Sequence, residues 1–265
     1  MAPSIPPPAP PVTGHLLYRV VEYSDASIAN GQLCSTGNTL SPQQLRELMA
    51  AHVERWGKAI TPFRSTSRSF LWALWEASRR DLELHIPAHK IEILIIDHRR
   101  PRPLVLHPLS EEPLINHHRF QNDNKLKGRV THCREVLVQG GIPDANIIAR
   151  VPWSMIRNRL PDFFDLGAEL DKGYRYRYKD CVERCLEEGR EETRDNIATF
   201  LDEVFRSEIA SQISNNARVN EYVRDLERHL FSHLFMSGQA QGQRGGGADG
   251  LDALLTQMGG LAVRW

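Results

Sequence analysis

Residues 132–153 read HCREVLVQGGIPDANIIARVPW. One carboxylate, Glu135, opens an apolar, β-branched run with the composition of a strand. A Gly-Gly-Ile-Pro-Asp turn ends that run, and a second strand-like segment, NIIARVPW, follows it. The segment is short, turn-bounded and rich in valine and isoleucine, so it sets the fold towards a sheet. A glutamate ahead of an apolar strand is ordinarily an exposed edge residue. It gains a second meaning from what precedes it in the chain.

Upstream, HLLYRVV (15–21) is a strand carrying Arg19. SPQQLRELMAAHVERW (41–56) is a helix, with Ser41 as cap, Pro42 in the first turn, and Leu45, Leu48, Met49 and His52 on one face. ITPFRSTS (60–67) is extended and ends in Ser65, Thr66 and Ser67. SFLWALWEASRR (69–80) is a helix with Leu71, Leu74, Trp75 and Ser78 at helical spacing, and KIEILIIDHR (90–99) is a strand buried on both faces at its centre. Residues 99–131 read as loop.

Downstream, composition changes after residue 155. Residues 175–205 and 216–235 are charged, amphipathic and helical, with apolar stripes such as Ile197, Leu201, Val204 and Phe205, then Tyr222, Val223, Leu226, Leu230 and Leu234. Such a helix pair must bury its stripe, as a hairpin or against another surface. The expected organisation is a disordered Pro-rich arm over 1–14, a domain over 15–155, a helical extension over 156–236 and a flexible Gly-rich tail over 237–265.

An arginine on a first strand (Arg19), a Ser-Thr-Ser at a later strand end and a glutamate opening a late strand stand in a fixed order. LLYRVVEYSDASIANGQ, RSTSRSFLWALWEAS and REVLVQGGIPDANI carry it. That order resembles the R-S-E, cholera-toxin-like class of mono-ADP-ribosyltransferases. The YRV and STS…LWALW segments are also similar to an uncharacterised fungal family of ADP-ribosyltransferase-like domains. The resemblance covers roughly residues 15–155. It implies an α+β fold: an ADP-ribosyltransferase-like split β-sandwich core with flanking helices and an α-helical C-terminal extension.

The resemblance also implies NAD as a substrate and ADP-ribosyl transfer, or NAD hydrolysis, as the activity. Glu135 takes the catalytic position, beside the ribose, where a carboxylate stabilises an oxocarbenium-like state. Arg19 takes the position of the planar fork for the phosphates or ribose. Ser65 takes the position that fixes the glutamate or the nicotinamide ribose, with Thr66 and Ser67 shaping the strand end. His52 falls where the family often has a histidine. Arginine-modifying members carry a glutamate or glutamine two residues before the catalytic one, and it engages the acceptor. Here that residue is Cys133, a poor guanidinium partner, so arginine is not the expected acceptor. The competing reading is a catalytically degenerate domain acting as a protein-interaction module.

Composition bounds the remaining classes. Of 265 residues 41% are hydrophobic and 25% charged, with 33 basic against 33 acidic side chains. That balance carries no basic excess for nucleic acid, so no nucleic-acid partner is expected. No run approaches the roughly 20 apolar residues of a membrane span, and the first residues lack the pattern of a secretory signal. Four scattered cysteines suggest free thiols and a cytoplasmic or nuclear protein. The expected partners are NAD and a protein acceptor, with no membrane, and the helical extension offers a surface for a protein partner. His117 and His118, the HIPAHK segment and Cys181 with Cys185 assemble no convincing ligand set, so no metal is expected. YRYRYK (174–179) reads as a solvated helix face, and Trp72 and Trp75 as core.

Overall fold

The computed structural model describes residues 15–23, 41–54, 61–109, 130, 133–161 and 192–242. The Pro-rich arm, the Gly-rich tail beyond residue 242, the 174–179 segment, His117, His118, Cys34, Cys181 and Cys185 lie outside the described residues, and residues 237–242, expected as flexible tail, continue a helix.

The chain is mixed α/β around one antiparallel sheet. Its strands are β1 (Leu16–Glu22), β2 (Phe63–Ser67), β3 (Ile91–Asp97), β4 (Leu106–Pro108), β5 (Glu135–Gln139) and β6 (Ile147–Pro152). They lie side by side in the order β4-β5-β2-β1-β3-β6. The two strands around the Gly-Gly-Ile-Pro turn are therefore not neighbours. β5 is interior, between β4 and β2, and β6 forms the opposite edge against β3. β4 interrupts the stretch expected as loop. At three residues, with Pro108 in it, its sequence carries too little alternation to announce a strand.

The sheet is uneven. β1 and β3 pair along their whole length, and so do β2 and β5. β1 and β2 pair only at Tyr18 and Ser67. Six strands thus form two three-stranded groups joined by one residue pair.

Side-chain alternation gives each face its own apolar layer. Tyr18, Val20, Ile93 and Ile95 project to one face, and Leu17, Val21, Leu94 and Ile96 to the other. Three helices and a helical hairpin are added to this frame: α1 (Pro42–Glu54), α2 (Phe70–Leu82), the short α3 (Trp153–Ile156), and a C-terminal pair. In the pair, α4 (Glu192–Leu201) runs through a π-helical turn at Asp202–Arg206 into α5 (Ser207–Gln212), and α6 (Asn216–Gly242) returns.

Local signals explain the helix starts. Ser41 Oγ accepts from Gln44 N at 3.2 Å while Gln44 Oε1 accepts from Ser41 N at 2.9 Å, a reciprocal cap. Ser69 Oγ accepts from Trp72 N at 3.1 Å, and Asn215 Oδ1 accepts from Ala217 N at 3.0 Å.

α2 and the C-terminal pair share one core with the Tyr18 face of the sheet. Phe70 meets Phe205 edge-on at 5.1 Å, and Ile197, Leu201, Val204, Leu226 and Leu230 are fully buried there. Trp75 lies in that core and Trp72 packs against it. α1 packs through Met49, Ala50 and Val53 on Phe63 and Leu137. Among the described residues no helix is long and apolar enough to cross a membrane.

Candidate active site

Where β1 and β2 part, three strands and α1 bring polar side chains together. Ser65 stands on β2 and Glu135 at the start of β5, one position diagonal to it on the same face. Arg134, at φ 47°, adopts the left-handed conformation that non-glycine residues rarely take, and turns the chain into β5 at Glu135. Ser65 Oγ donates to Glu135 Oε1 at 2.7 Å. Glu135 is only 6% exposed, so the strand-opening carboxylate is an interior residue, not the solvated edge residue its sequence context suggests.

His52 reaches the same serine from α1. Its Nε2 lies 3.0 Å from Ser65 Oγ, and its Nδ1 is hydrogen-bonded to Thr61 Oγ1. The serine's one proton is committed to Glu135, so His52 Nε2–H is the donor to Ser65 and Nδ1 accepts from the Thr61 hydroxyl. Burial, and then the charges of Arg19 and Arg64, push the His52 imidazole down to about 4 from its ordinary 6.5. The ring is neutral at physiological pH, as this donor–acceptor pattern requires. The result is a directed chain, Thr61 to His52 to Ser65 to Glu135, ending on a carboxylate.

Arg19 enters differently. The Tyr18–Ser67 pairing puts Tyr18 on the face of Ser65 and Glu135, so alternation starts the Arg19 side chain from the opposite face. It passes into the gap beside β2, where Nη1 donates to the Ser65 carbonyl at 2.7 Å. Arg19, Ser65 and Glu135 thus meet on neighbouring strands, but Arg19 meets the main chain of Ser65 and not its hydroxyl.

The remaining expected residues serve the frame. Thr66 Oγ1 donates to the Val136 carbonyl at 2.7 Å, pinning β2 to β5. Ser67 Oγ bonds the Cys133 carbonyl and accepts from Ser69 N at 2.8 Å, joining the strand end to the start of α2. Cys133 is buried, and its thiol is directed at the Val130 carbonyl, 3.6 Å away. Thr61 was not among the expected residues. The only signal for it was a hydroxyl just ahead of Pro62 in the segment that leads into β2.

In chemical terms, the site presents a carboxylate oriented by a serine hydroxyl, braced by a neutral imidazole, with a guanidinium at the same strand. Such a carboxylate opposes developing positive charge on a bound ligand.

No curated protein and no solved structure matches the chain significantly. One sequence profile does, over residues 15–156, more than half of the chain and the whole span from β1 to the end of α3. The chain belongs to the family described as Domain of unknown function (DUF7587).

Proposed function

We propose that this protein is a mono-ADP-ribosyltransferase or NAD glycohydrolase, built on an ADP-ribosyltransferase-like split β-sandwich core. The observation that carries the reading is the 2.7 Å bond from Ser65 Oγ to Glu135 Oε1, with Arg19 bonded to the same serine. Three residues placed in R-S-E order along the sequence become one hydrogen-bonded group, at the point where β1 parts from β2. Glu135 stabilises the oxocarbenium-like ribosyl as the nicotinamide C–N bond breaks and the bonding pair leaves with nicotinamide. Water, or a nucleophile on a protein acceptor, then adds to the ribosyl carbon and gives up its proton. Ser65 fixes the carboxylate, and the Arg19 guanidinium is the cation proposed to meet the anionic part of NAD.

Nicotinamide release by the purified full chain tests this. Wild type should release it, Glu135→Gln should lose roughly 100-fold or more, and Ser65→Ala should fall between them. Turnover unchanged in Glu135→Gln sinks the assignment. Agmatine should be a poor acceptor, because the buried Cys133 thiol takes the place of the acceptor-engaging carboxylate.

A second reading is favoured by two observations: Glu135 is almost wholly buried, and Arg19 is turned inward to a main-chain carbonyl. On that reading the group is a structural tie, and the domain is a catalytically degenerate protein-interaction module. Absence of nicotinamide release from wild type, together with a stability loss in Ser65→Ala, selects it.

A further inference from the structure

A second polar cluster lies between the sheet and α6, at residues the site above does not use. His15 precedes β1, and Asp225 sits one helical turn after Glu221 on α6. The ligand-type atoms of His15, Glu221 and Asp225 all lie within 4.8 Å of one another. His15 and Asp225 are buried and Glu221 is exposed.

Asp225 makes the cluster informative. Arg228 takes its Oδ1. Its Oδ2 is buried and accepts no hydrogen bond, although His15 Nε2 is only 3.1 Å away. By distance this is an ion pair; by direction it is no hydrogen bond, and direction decides, because such bonds weaken steeply out of line. A buried carboxylate oxygen held close to an imidazole nitrogen without a proton between them has the disposition of two ligands of one cation. Two ligand atoms each about 2.1 Å from a tetrahedral zinc are roughly 3.4 Å apart. Glu221 and Asp225, four residues apart on one helix face, repel each other weakly, and a cation between them would turn that repulsion into attraction.

We infer that His15, Glu221 and Asp225 form a binding site for one divalent transition-metal ion of the zinc class. One imidazole and two carboxylates suit such an ion better than an all-oxygen cation. The side of Glu221 open to solvent admits the ion and leaves room for water ligands. Asp97 stands behind, its Oδ2 3.9 Å from His15 Nε2 and held by the Tyr222 hydroxyl at 2.9 Å, while Arg99 N donates to its Oδ1. The site does not depend on the reading of Ser65 and Glu135.

The test uses the full chain, stripped with chelator and titrated with Zn2+ alone by calorimetry. Wild type should bind one equivalent that Glu221→Gln binds at least roughly tenfold more weakly. Glu221 is exposed, so that variant keeps its fold, which far-ultraviolet circular dichroism verifies. The visible absorption of Co2+-loaded wild type should be lost in His15→Gln. The chain's other histidines and cysteines contribute equally to wild type and variant, so the difference isolates this cluster. Equal Zn2+ binding by wild type and Glu221→Gln, or no saturable Zn2+ binding by wild type, overturns the inference.

Discussion

His52 carries a pH signature of its own. Its folded value, about 4, lies below the 6.5 of the unfolded chain, so between these values the unfolded state binds more protons. The stabilisation is fully present above pH 6.5 and is lost as pH falls towards 4. At 1.36 kcal/mol per unit, the gap corresponds to something on the order of 3 kcal/mol. Urea unfolding between pH 7 and pH 4.5 should show this loss, and His52→Gln should flatten part of the slope. An identical slope in the variant refutes the claim. Ser65→Ala has a separate cost. It leaves the buried Glu135 carboxylate without its hydroxyl donor and the His52 N–H without its acceptor, a loss of about 1–3 kcal/mol in unfolding free energy.

At the scale of elements, the helices were legible because their signals are local. Ser41 with Gln44 and Ser69 with Trp72 are contacts within one turn; the Ser41 cap read from the sequence forms, and Ser69 caps the second helix in the same way. Ser69→Ala should cost about 1 kcal/mol, seen as a lower urea midpoint at unchanged slope. Strand identity was local too: β1, β3, β5 and β6 follow their β-branched runs, and β3 is buried throughout. Strand partners were not. Nothing within REVLVQG states that it pairs with a segment ending some 70 residues earlier, or that the strand after its turn goes to the far edge. The order of Arg19, Ser65 and Glu135 could be read only as an order, and the two-sided entry of Arg19 needed the β1–β2 register. His15 with Asp225 lay beyond sequence reading for the same reason: neither neighbourhood contains a ligand motif, and only the docking of α6 joins them.

The whole molecule depends on that docking. Ile197, Leu201, Val204, Phe205, Leu226 and Leu230 complete the core that covers the Tyr18 face of the sheet. A chain ending at residue 161 should expose that face and lose cooperative unfolding, checked by circular dichroism and light scattering. A soluble, cooperatively folded fragment would contradict it. Leu226→Ala in the full chain, a milder version, should cost about 2–5 kcal/mol. The parting of β1 from β2 has a different consequence. Main-chain pairing is indifferent to the side chains that accompany it, so strand pairs elsewhere in this sheet survive most substitutions. Across this seam a guanidinium does part of that work. Cohesion between the two halves of the sheet is therefore written partly in one codon. Replacing Arg19 with methionine would keep most of the bulk yet free the halves to breathe, which would appear as faster amide exchange in β2 than in β3.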